Sequence, residues 1–181
     1  MPVLDLVYAP NPIFKQKSAL VETVDAEVKS LVADLYETLY EQRGLGLAAT
    51  MVGILKQIVV IDLQDDEVKA PITMINPVIT SYSDDTQTFE EASLCYPGIG
   101  TDITRPKSIE VTFVDINGKE QKLSAEGWLS QVIQHEVDYL DGKVYLDFLK
   151  PMKRQLMMKK MQKFKRNIDR NAHVHGEGCG C

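Results

Sequence analysis

Histidine and cysteine are scarce: the chain holds three of each among 181 residues, and a single tryptophan. The odd cysteine count, with Cys179 and Cys181 crowded at the C-terminus, argues against a disulfide framework. Only Cys95 and His135 lie in the body, so soft metal ligands are few there. No window approaches the roughly eighteen apolar residues of a membrane span. The opening MPVLDLVYAPNPIF lacks the basic-then-apolar pattern of a secretory leader. The expectation is a cytoplasmic protein with no membrane contact. Repeats and low-complexity blocks are missing from the first 150 residues. With 44% hydrophobic residues over this length, one domain with a sizeable core is expected, spanning residues 1–170.

Charge is uneven along the chain. Residues 150–170, KPMKRQLMMKKMQKFKRNIDR, hold nine Lys or Arg against Asp169, or +8; with a total of −6, the remainder carries −14. An acidic globule with a basic C-terminal segment suits contact with nucleic acid or another acidic surface, or is a solvated helix face. Pro151 fits a first helical turn, and Met152, Leu156, Met161, Phe164 and Ile168 are read as an apolar stripe opposite the lysines. The last residues, HVHGEGCGC, place His173, His175, Cys179 and Cys181 together. They are read as a flexible tail over 171–181 that either captures zinc or copper or has no defined role.

The elements alternate in period. In TVDAEVKSLVADLYETLYEQRG, Val28, Leu31, Val32, Leu35 and Leu39 follow helical spacing, with Asp25 as N-cap and Gly44 as terminator. QIVVIDL, APITMINPVITSYS and TQTFEEASLCY are rich in β-branched and aromatic residues and predict strands. SIEVTFVDINGKEQKLSA alternates at Ile109, Val111 and Phe113 and carries Asn117-Gly118, a hairpin signal. GWLSQVIQHEVDYLDG returns to helical spacing at Leu129, Val132, Ile133, Glu136 and Leu140, ending at Gly142. The predicted class is α+β: mostly antiparallel sheets around a central helix, with an N-terminal helix and a C-terminal amphipathic helix.

The central helix carries QHEVDYLDG. Positions i and i+4 share a helix face, so two histidines at that spacing can share a metal while an intervening glutamate acts on metal-bound water. His135 and Tyr139 occupy those places, with Glu136 beside His135. Alone, the dipeptide means little. Together, GLGLAATMVG (44–53), EEASLCYPG (90–98) and QHEVDYLDG (134–142) resemble, in order and interval, the peptide deformylase motifs GxGLAAxQ, EGCLSxPG and QHExDHLxG. The INP of TMINPVI, Arg105, the Asn-Gly hairpin and LDFL before a basic helix extend the resemblance over residues 1–170.

That resemblance implies removal of the formyl group from the N-terminal methionine of nascent proteins. It implies Fe2+ or Zn2+ held by one cysteine and two histidines, a glutamate as general acid/base, and a glutamine with a backbone N–H as oxyanion donors. Carried over by position, the general acid/base is Glu136, the first histidine ligand His135 and the backbone N–H that of Leu94. The cysteine ligand falls on Ser93, the second histidine on Tyr139, and the glutamine on Met51, whose thioether donates no hydrogen bond. The cleft would be lined by Leu45, Gly46, Ala92, Arg105 and Trp128, the last reshaping the side-chain pocket or serving as core.

A serine hydroxyl is a weak ligand at neutral pH, and tyrosine must first lose a proton with an ordinary pKa of about 10. Degrading two protein ligands costs roughly 6 kcal/mol, about four powers of ten in affinity. Cys95, two residues past Ser93, would face the same way on a strand, but some 6–7 Å along it. It is read as a ligand only if the chain slips, and otherwise as a small buried residue. The expectation is a deformylase-like protein without metal at the family site and without deformylation. The alternatives are an enzyme using unconventional ligands, with Fe2+ or Zn2+ bound, and a module binding the ribosome or nascent chain through 150–170. The partners implied are a formyl-methionyl peptide or nascent chain, and the ribosome.

Overall fold

The computed structural model describes residues 2–64 and 70–174, with side chains to residue 168. Three helices, α1 (Ala26–Glu41), α2 (Gly127–Leu140) and α3 (Pro151–Val174), accompany seven strands. These are β1 (Gly46–Ala48), β2 (Ile58–Ile61), β3 (Ile72–Tyr82), β4 (Thr86–Ala92), β5 (Gly100–Pro106), β6 (Ser108–Val114) and β7 (Glu120–Glu126). One sheet runs β1-β2-β3-β6-β7 and a second pairs β4 with β5. Every pairing between these strands is antiparallel, so the α+β architecture read from the sequence is the one observed.

The amphipathic pattern of α1 buries Val28, Val32, Leu35 and Leu39, and Asp25 accepts the Val28 N–H at 2.9 Å as N-cap. Its end differs from expectation. Arg43, not Gly44, takes the positive φ of 54°, while the Gly44 N–H closes on Leu39 O at 2.9 Å. Gly44 is needed for space, since a Cβ there would lie 3.0 Å from both Leu39 and Leu94. The unbroken apolar run Ile58–Ile61 is wholly buried because β2 meets both α1 and α2, as a strand covered on two faces should. In β3, Asn76-Pro77 falls in a register shift between Ile75 and Val78, where a proline without N–H costs no ladder bond. The Asn76 side chain accepts Val21 N–H and donates to Val21 O, fastening the N-terminal segment to the sheet.

Helix α2 packs against β1, β2 and β7. Its burial extends beyond the predicted stripe to Ser130, Gln131, Gln134, His135 and Tyr139. Gly142 ends it at φ 71°, where a Cβ would meet the Lys15 carbonyl carbon at 2.8 Å. The strand predicted over TQTFEEASLCY stops at Ala92, and the chain turns, with Tyr96 N–H donating to Ser93 O at 3.0 Å.

In α3 the inward side chains are Met157 and Met161, and Phe164 lies over Gly98. Met152 and Leu156 are 84% and 65% exposed, and Ile168 also faces solvent. The single apolar stripe expected there is therefore corrected: Met161 follows Met152 by about two and a half turns, which puts them on opposite faces. The helix also runs on to Val174, so the tail expected from 171 begins in helix. Its metal reading rests on His175, Cys179 and Cys181, which lie outside the described residues.

Candidate active site

Three segments converge on a cleft of about 480 Å³. The α1–β1 turn and β1 bring Arg43, Gly44, Leu45 and Gly46; the end of β4 brings Glu90 to Leu94; α2 brings Trp128, Gln131, Val132, His135 and Glu136. Met51 and Pro97 complete the wall. Thus Leu45, Gly46, Met51, Ala92, Ser93, Leu94, Trp128, His135 and Glu136, distant in sequence, do meet. Trp128 serves both proposed roles, lining the cleft while its ring packs edge-on against Phe89 at 5.2 Å. Tyr139 lies beneath, fully buried.

Arg105 is placed differently from the expectation. It sits behind the cleft wall, its guanidinium donating to Glu91 through Nε (2.6 Å) and Nη2 (3.0 Å) and to Asp138 through Nη1 (2.8 Å), over the Phe148 ring. Glu91 in turn accepts from His135 Nδ1 at 2.7 Å and from the Gln131 amide. Burial pushes the Glu91 carboxyl up, but the bonds from His135 and Arg105 outweigh it and bring it down to about 2. Burial pulls His135 down, while the Glu91 bond and the Glu136 charge prevail and raise it. An ionised Glu91 only accepts, so Nδ1 carries its proton and Nε2 is the ring nitrogen left for the cleft. Glu91, Gln131 and Asp138 were not singled out from sequence, although Gln131 and Asp138 stand four residues before and three after His135, on neighbouring turns of its helix.

Glu136 packs against the backbone of β1. A Cβ on Gly46 would come within 2.7 Å of its carboxyl, so glycine is required for this approach. One oxygen takes the Ala48 N–H, while Oε2 is buried without a hydrogen-bond partner. Burial raises this carboxyl to about 7.

The remaining pair is hydroxylic. Ser93 Oγ and Tyr139 OH are hydrogen-bonded at 2.7 Å, and Ser93 Oγ also accepts the Cys95 N–H at 3.3 Å. Burial holds the Tyr139 phenol well above the ordinary tyrosine range, and the Ser93 bond offsets this only in part. Among the described residues no base is hydrogen-bonded to Ser93 Oγ, so the serine is not an activated nucleophile of the serine-histidine kind. Cys95, expected on strand geometry to face the cleft side, instead follows the turn into the core. It is fully buried, with Sγ 3.8 Å from Met51 O, and burial pushes its thiol up. Among the described residues no three His, Cys, Asp or Glu side chains form a group suited to a metal ion.

The family model described as Polypeptide deformylase matches residues 3–155. A protein named peptide deformylase-like from Rickettsia conorii is 46% identical over 179 residues, covering 98% of this chain and 96% of its own. A peptide deformylase of Wolbachia sp. subsp. Brugia malayi is 41% identical, covering 94% and 100%. The crystal structure of peptide deformylase from Ehrlichia chaffeensis in complex with actinonin is similar with a TM-score of 0.87 and 37% identity, over 92% of this chain and 99% of that one.

Proposed function

Because the chain belongs to the polypeptide deformylase family, we propose that it is a member that retains the peptide-binding cleft and has lost metal-dependent removal of the formyl group. The observation that carries this reading is the 2.7 Å bond between Ser93 and Tyr139. These are the positions of two of the three metal ligands implied by the motifs, and their oxygens satisfy each other. A divalent cation would have to break that bond and ionise a phenol that burial holds protonated. The donor set does not fit Fe2+ or Zn2+, which leaves His135 as the one conventional ligand. Met51 in place of a glutamine removes a side-chain oxyanion donor as well. What remains is a cleft with an apolar wall, an oriented histidine and a buried carboxyl: a binding site rather than a hydrolytic one. The intact His135–Glu136 pair favours the competing reading, a deformylase working with unconventional ligands.

The test is metal content and formyl-methionyl peptide hydrolysis, measured side by side on the native chain and on the triple variant Met51→Gln, Ser93→Cys, Tyr139→His. The native chain is expected to hold no stoichiometric metal and to release no formate, and the variant to gain metal. Turnover by the native chain that is abolished by chelators and by Glu136→Ala would overturn the reading.

A second role is favoured by the outward Met152 and Leu156 on α3, exposed among Lys153, Lys159 and Lys160. On this reading the helix is a contact surface for the ribosome.

A further inference from the structure

We propose that the cleft recognises a ligand bearing a free primary ammonium beside an apolar side chain, of the kind an unblocked peptide N-terminus presents, seated against Glu136 Oε2 and His135 Nε2. The inference rests on the reading of the cleft as metal-free.

A buried acceptor without a partner is uncommon and costly. Glu136 is 4% exposed, and its second oxygen is the unpartnered one. The β1 backbone at Gly46 and the Ala48 N–H fix the rest of the carboxyl, so the free oxygen belongs to the cleft that Glu136 lines. His135 adds a second acceptor position. Its Nδ1 is held by Glu91, itself clamped by Arg105, which leaves Nε2 toward the same space.

Side-chain donors nearby are already engaged. The Gln131 amide is bound to Glu91 and to Ile103 O. The Ser93–Tyr139 pair uses one of its two protons internally, and Met51 has none to offer. A site rich in acceptors and poor in donors matches an ammonium, which has three N–H donors and no acceptor. A formyl or acetyl amide brings a carbonyl oxygen that needs the donors this cleft lacks. Around the acceptors, Leu45, Leu94, Trp128 and Val132 make the wall apolar, while Arg43 and Glu90 contribute opposite charges to the lining.

The experiment is calorimetric titration of the full-length protein in chelator-treated buffer with Met-Ala-Ser amide, its N-formyl and N-acetyl forms, and methioninamide. The free-amine tripeptide is expected to bind at least about tenfold more tightly than either blocked form, the scale of one charge-assisted hydrogen bond. Glu136→Gln, with its fold checked by thermal melting, is expected to erase most of that difference. With the blocked forms weak, methioninamide equal to the tripeptide would place recognition in one residue; a tighter tripeptide would extend it to the following backbone. Blocked peptides binding as well as the free one, or no binding by any of the four, would overturn the proposal. Formate release from the formyl peptide would instead overturn the metal-free reading, whichever peptide binds better.

Discussion

Tyr139 stands one helical turn from His135, and its hydroxyl reaches across to the turn after β4. The motif spacing was enough to place Ser93, Met51, His135, Glu136 and Tyr139 around one point, because each lies in a segment whose position in the fold is set by local pattern. The bond between Ser93 and Tyr139 was not legible, since it joins residues 46 apart in sequence and depends on which way two side chains turn. The placement of Arg105 was hidden for the same reason: strand alternation says which face it takes, not that Glu91 and Asp138 await it there. If the Ser93–Tyr139 bond carries stability, the two side chains must be coupled. Tyr139→Phe is expected to cost about 1 kcal/mol, and Ser93→Ala about 1–3 kcal/mol because it leaves a buried phenol without its acceptor. The double variant should cost less than the sum of the two. For a chain of this size each kcal/mol lowers the melting temperature by about 2–4 °C, so thermal melts of the four proteins resolve the cycle; strict additivity would mean the bond contributes nothing.

Helices and strands were read from periodicity where one face dominates, as in α1 and β6, and misread where the environment is not two-sided. α2 is buried nearly all round, so polar residues such as Gln131 and Gln134 lie inside with hydrogen-bond partners, which no hydrophobic stripe reveals. The run after β4 looked like strand because Leu94, Cys95 and Tyr96 are buried or half-buried in a turn. Between elements, Asp147 is the main electrostatic fastener. It accepts the Val144 N–H (2.9 Å) and pairs with Lys15 (2.8 Å) near the N-terminus and with Arg154 (2.6 Å) in the first turn of α3. Burial pushes its carboxyl up, but Lys15, the Val144 N–H and Arg154 together hold it below the ordinary aspartate range. A carboxyl depressed by folding stabilises above its unfolded pKa of about 4 and loses that contribution as pH falls below it. The urea midpoint of the native chain should therefore exceed that of Asp147→Asn at pH 7, with the gap closing between about pH 4 and pH 3. A gap of constant size across that range would assign Asp147 a packing role alone.

At the scale of the whole molecule, charge is separated. A body of net −14 carries a segment of net +8, and that segment is the start of a 24-residue helix. The inner face of α3 is tied down by Met157, Met161, the Phe164 packing at Gly98 and Lys165 Nζ on Ala9 O. Lys159, Lys160 and Lys163 remain exposed together with Met152 and Leu156. Fold stability does not require those outward lysines, because an exposed charge adds little to folding. Their concentration on an acidic protein makes sense as attraction to a polyanion, which overcomes repulsion from the body only over short range and low salt. Co-sedimentation with ribosomes should thus weaken steeply with added salt. Replacing Lys159, Lys160 and Lys163 by Glu should lower binding and flatten the salt dependence, by about one unit of log–log slope for each phosphate no longer neutralised. Truncation at 150 is a poorer test, since it would also uncover the core under Met161. Ribosome binding that ignores both salt and the lysine changes would leave α3 as a helix whose inner face alone matters.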